Sequence, residues 1–94
     1  MADRARLQLR VSPTPCTDAT TAAFSLPGAG TVNLRLYDIT GNLVRVLAIG
    51  RYSAGPHSVW VSRSEPGASH IGRGIYLLRL KTADASITRK LVLE

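Results

Sequence analysis

The chain has little of what chemistry requires. One cysteine, Cys16, stands among 94 residues, so no intrachain disulfide staples the fold, and the thiol reads as a small half-buried side chain beside a turn. The two histidines, His57 and His70, have no cysteine or carboxylate at ligand spacing, and a metal site needs at least three converging ligands. The expectation is no metal and no cofactor. No glycine-rich phosphate loop and no nucleophile elbow occurs. Asp38-Ile39-Thr40-Gly41 is one residue too long for an aspartic-protease motif, and a turn explains it fully. The chain reads as non-enzymatic. No apolar run reaches the ~18 residues of a membrane-spanning helix, and Met1 to Arg6 lack the apolar core of a signal peptide. If the protein is exported, its signal is expected upstream, with Met1 a new start and residues 1–6 flexible or artificial.

What charge there is lies on arginine. Ten of the twelve cations are Arg and only Lys81 and Lys90 are Lys; against six acids the net charge is +6. The cations are scattered, with no run of three. The five aromatics, Phe24, Tyr37, Tyr52, Trp60 and Tyr76, do not interleave with them as a nucleic-acid surface demands. Nucleic acid is therefore disfavoured. A solvated basic surface is the plain reading, and an anionic partner, a polysaccharide or a lipid headgroup ahead of nucleic acid, is the candidate if the charge is functional.

Turn signals every 8 to 14 residues separate short alternating segments, the signature of an all-β chain. Strands are expected at Leu7 to Val11, Thr20 to Leu26, Thr31 to Tyr37, Leu43 to Ile49, His57 to Arg63, and in a closing pair, Arg73 to Lys81 and Ile87 to Glu94. In the fourth, simple alternation sets Val44, Val46 and Ala48 against Leu43, Arg45 and Leu47. No segment repeats apolar residues at helical spacing, so little or no helix is expected. Seven short strands imply two antiparallel sheets face to face, one domain over residues 1–94. The closing pair places Tyr76, Leu78 and Leu80 opposite Ile87, Leu91 and Leu93 on one face, which makes the C-terminus a core strand rather than a tail.

The order of signals carries a resemblance. Ser12-Pro13-Thr14-Pro15, Phe24-Ser25-Leu26-Pro27, Val32 to Asp38, Gly41-Asn42-Leu43-Val44-Arg45, Gly55 to Trp60, Gly74-Ile75-Tyr76 and Thr88 to Leu93 succeed one another along the chain. Together they resemble the C-terminal sorting domain of the type IX secretion system and the similar immunoglobulin-like domain of the flagellar hook-capping protein. The resemblance implies a seven-stranded antiparallel immunoglobulin-like β-sandwich at the C-terminus of an exported bacterial protein. It also implies an upstream domain in the same chain, a translocon or cell-surface component as partner, and a secreted or surface location. By the same resemblance Gly74, Ile75, Tyr76, Lys90 and Leu93 are the sorting candidates. The chain departs from the family pattern at three places: Thr14 replaces Asn between the prolines, Val61-Ser62 replaces Asp-Gly after the tryptophan, and Glu94 stands where Lys is frequent.

Two alternatives accompany the sorting reading. A carbohydrate-binding or adhesion sandwich would use Trp60, Tyr37 or Tyr52 with outward Arg35, Arg45 and Arg79. A structural or assembly spacer would use its fold alone. Trp60 itself has two readings, packing beneath the long 62–74 loop or standing exposed as a stacking platform.

Overall fold

Alternation of apolar and polar residues dictates where each strand places its side chains, and seven strands result from it. The computed structural model describes residues 7–12, 14, 17–64 and 71–94. Its elements are β1 (Gln8–Ser12), β2 (Ala19–Leu26), β3 (Gly30–Asp38), β4 (Leu43–Tyr52), β5 (Gly55–Ser62), β6 (Gly74–Lys81) and β7 (Ser86–Leu93). Among the described residues there is no helix. The expectations for Cys16, His70 and residues 1–6 lie outside the described residues.

The strands form two antiparallel sheets, β1-β2-β5 and β4-β3-β6-β7. Compared with the immunoglobulin constant arrangement, the fourth strand lies with the third, sixth and seventh instead of joining the first sheet. The inner faces meet in one core. Leu9, Ala22, Phe24, Leu26 and Val61 come from the three-stranded sheet, and Val32, Leu34, Leu36, Leu78, Leu80, Leu91 and Leu93 from the four-stranded one. Each buried Leu, Val or Phe side chain contributes roughly 1.5–3 kcal/mol of transfer free energy. Pro56 sits in β5, an edge strand, where its missing N–H breaks no ladder.

β4 does not alternate as its sequence suggests. Two register shifts against β3, between Leu34 and Arg35 and between Leu36 and Tyr37, make Leu47 and Val44 extra residues. Each extra residue reverses the facing of the segment beyond it. Arg45 therefore pairs with inward-facing Leu36, while Val46 pairs with outward-facing Arg35 and is left exposed.

Three arginines close the sandwich. At the β1–β7 seam the Arg89 Nε donates to the Leu9 carbonyl at 3.0 Å. At the β4–β5 side Arg45, 9% exposed, donates to the carbonyls of Ser62 and, at 3.4 Å, Arg63. At one end Arg63 donates to the oxygens of Thr17, Ile71 (3.1 Å) and Glu94 (2.6 Å). A planar fork of five donors, more weakly hydrated than an ammonium, suits this use and explains part of the preference for Arg over Lys.

The β3–β4 turn is held by one carboxylate. Asp38 Oδ1 accepts from the Thr40 hydroxyl (2.6 Å), the Thr40 N–H (3.0 Å) and the Asn42 N–H (3.0 Å), and Gly41 supplies a φ of 94°. The Thr40 hydroxyl first, then the backbone donors, hold the Asp38 pKa below its ordinary 3.8. A depressed carboxylate stabilises the fold above its unfolded pKa and loses that contribution as pH falls through the folded one. Asp38→Ala is thus expected to lower stability at neutral pH and to narrow the loss between neutral pH and ~pH 3. Urea unfolding at both pH values checks this; an unchanged acid loss removes Asp38 from the account.

Candidate functional site

The closing hairpin is built from its glycine outward. Gly74 begins β6 with φ 148°, a conformation that side chains rarely adopt, and a turn that Tyr76 fastens by donating its hydroxyl to the Gly72 carbonyl at 2.9 Å. The register then pairs Gly74 with Leu93, Ile75 with Val92, Tyr76 with Leu91 and Leu77 with Lys90. Two stretches far apart in sequence thus share one end of the sheet. Alternation divides them: Tyr76 and Leu93 face the core, while Ile75 and Lys90 stand exposed on the outer face.

Two residues outside the sorting candidates hold this hairpin in place. The Thr14 hydroxyl accepts from the Val92 N–H at 3.2 Å, satisfying a donor on the free edge of β7. Arg63 holds the Glu94 oxygen, and its own backbone N–H donates to the Asp18 carbonyl at 3.0 Å. The signal for Thr14 was its place between two prolines. Arg63 carried none, because its three carbonyl partners come from separate parts of the chain.

The proposed ligand-surface residues do not form one surface. Arg35 and Arg79 lie directly opposite each other on the outer face of the four-stranded sheet. Arg45 is not outward, as expected; the β4 bulges turn it inward to the Ser62 and Arg63 carbonyls. Trp60 is 67% exposed on the outer face of the other sheet, so packing beneath the 62–74 loop is the reading that fails. Tyr52 is edge-on to Phe24 (5.6 Å between centroids) and His57 (5.1 Å), and His57 Nε2 lies 2.7 Å from the Ser53 carbonyl. Tyr37 belongs to the four-stranded sheet's outer face. The aromatics make no row for a sugar chain. Among the described residues no three His, Cys, Asp or Glu side chains converge on a metal position, and no helix is long and apolar enough to cross a membrane.

An immunoglobulin-like sandwich whose final strand is pinned into its core defines the class: a folded β module with its C-terminal hairpin as a structured feature. Residues 10–94 match the family described as secretion system C-terminal sorting domain, and the chain belongs to that family, the sorting tails of type IX secretion. Membership makes this a sorting module of an exported protein. The match carries the sorting-domain half of the resemblance rather than the hook-capping half. Among solved structures the chain is similar to dimeric latent PorU from Porphyromonas gingivalis, with a TM-score of 0.74 and 17% identity over 98% of this chain. It spans 10% of that PorU chain, and at this identity the likeness concerns the fold. No curated protein matches the chain significantly.

Proposed function

We propose that this domain acts as a non-catalytic C-terminal tag of a larger exported bacterial protein, read in folded form by the secretion translocon through the β6–β7 hairpin. The observation that carries this is the pairing of Gly74 with Leu93, which joins the two sorting stretches into one structural unit. Within that unit the roles divide. Gly74, Tyr76 and Leu93 shape the hairpin, and Ile75 and Lys90 offer an apolar and a cationic contact to a partner. The upstream remainder of the protein is its cargo, destined for the medium or for attachment at the cell surface. A carbohydrate-binding role draws no support from aromatics divided among two outer faces and an internal cluster.

The test separates recognition from folding. Residues 1–94 are fused behind a reporter with a signal peptide in a host that has the type IX system. The double variant Ile75→Ser/Lys90→Gln changes only exposed side chains, so its urea midpoint is expected to stay near that of the parent. Export is expected to fall at least about tenfold, the loss of ~1.4 kcal/mol of recognition. Undiminished export of that folded variant would sink the hairpin as the element read.

A further inference from the structure

We propose that the outer face of the four-stranded sheet carries a binding site for a phosphate group, formed by Arg35, Arg79 and Lys81 with Asn33 and Tyr37. These five side chains line a depression of about 100 Å³. That is well above the ~10–15 Å³ that a single water needs, so a small oxyanion fits within it.

The charge arrangement is the main argument. Arg35 on β3 is the direct cross-strand partner of Arg79 on β6, and Asn33 is the partner of Lys81 two positions along on the same face. Side chains directly opposite stand about 5 Å apart at Cβ, where like charges destabilise a sheet. Among the described residues no carboxylate relieves this. The register leaves no Asp or Glu on the outer face of β3, β4, β6 or β7. Asp38 is occupied by its own turn, and Asp84 lies in the β6–β7 turn. Three cations therefore converge on one small depression that the sheet itself supplies with no anion.

The hydrogen-bond inventory points the same way. Arg35 Nε is a buried donor with no partner; Asn33 Oδ1, also buried and unpartnered, is an acceptor that an anion does not satisfy, so it is the guanidinium alone that calls for one. Unsatisfied buried polar atoms are destabilising, and an anion between the two arginines gives Arg35 Nε and a neighbouring Nη a two-point acceptor after a small turn of the guanidinium. A carboxylate neutralises one charge of three. A phosphate monoester brings nearly two negative charges and three acceptor oxygens, which matches the site better. The depression is open, so the phosphate is either the free ion or a substituent of a larger molecule. This site does not depend on the export reading, and a failure of either leaves the other standing.

The experiment titrates the folded chain by NMR at constant ionic strength, following backbone amides and arginine Nε–H signals. Inorganic phosphate is expected to give saturable shifts centred on Arg35, Arg79 and Lys81, with sodium acetate at least about tenfold weaker. Arg79→Gln is expected to weaken phosphate binding about tenfold or more. It should also raise the melting temperature in phosphate-free buffer, because the like-charge pair is gone. Arg10→Gln, on the other sheet, should change neither. Glucose 6-phosphate binding at least as tightly as inorganic phosphate assigns the site to a phosphate carried on a larger molecule; weaker binding assigns it to the free ion. The proposal is overturned by the absence of saturable shifts, by acetate binding as well as phosphate, or by undiminished binding in Arg79→Gln.

Discussion

Leu93→Ala is expected to lower the unfolding free energy by about 2–5 kcal/mol, the range for a buried leucine cut back in a core. Leu93 is 3% exposed and belongs to the same buried cluster as Leu78, Leu80 and Leu91. A residue this close to a chain end usually frays. Here the backbone is paired to Gly74, the Val92 N–H is met by Thr14, and Arg63 grips the Glu94 oxygen. For a domain of this size each kcal/mol shifts the melting temperature by roughly 4–8 °C, so the effect is large in a thermal melt as well as in urea. Lys90→Ala, three residues earlier and exposed, should stay within about 0.5 kcal/mol of the parent. A loss below about 0.5 kcal/mol for Leu93→Ala would show that β7 ends before the core does. This prediction concerns folding alone, so it also calibrates the export experiment: export lost by Leu93→Ala is read against its lost stability.

The second large effect is expected at Arg45. Arg45→Ala removes a buried guanidinium whose donors meet the Ser62 and Arg63 carbonyls across the sandwich. The Ser62 carbonyl then loses its charged donor, the Arg63 carbonyl keeps only the Ile71 N–H at 3.0 Å, and the aliphatic stem is lost with the charge. The expected cost is about 2–4 kcal/mol, since charge-assisted hydrogen bonds contribute ~1.5–3 kcal/mol and removing the buried charge returns part of it. Arg45→Met keeps the stem and should lose less. Urea unfolding measures both, and amide exchange should quicken first along β4 and β5. Were Arg45 an exposed surface cation, as simple alternation suggests, both variants would be nearly neutral. The comparison of Ala with Met therefore tells a seam from a surface.

The closing hairpin was legible because both its signals are local. Gly74 needs a positive φ that few other residues tolerate, and Tyr76-Leu78-Leu80 against Ile87-Leu91-Leu93 alternates with a single polar interruption, Arg89. Strand pairing in a hairpin is set by its turn, so the register of Gly74 with Leu93 could be reached by counting. β4 was not legible in the same way. Its bulges arise from how β3 and β4 accommodate each other, and a single extra residue reverses the facing of a whole segment without altering its composition. Arg45 and Val46 exchanged places for that reason. Trp60 was ambiguous because both neighbours, Val59 and Val61, are apolar; only the pairing of β5 with β2 puts the indole on the outer face opposite Thr21.

By itself the sequence determined seven strands, their order, the inward residues wherever alternation is unbroken, and membership of a family through motifs in a fixed succession. These depend on local conformational preference and period, which each segment carries alone. The tertiary structure decided which arginines are scaffold and which are surface. Arg45, Arg63 and Arg89 look like Arg35 and Arg79 in the chain, yet their partners are carbonyls contributed by other strands and loops. A hydrogen bond to a distant backbone, and a like-charge pair created by the register of two strands, exist only once the sheets have met.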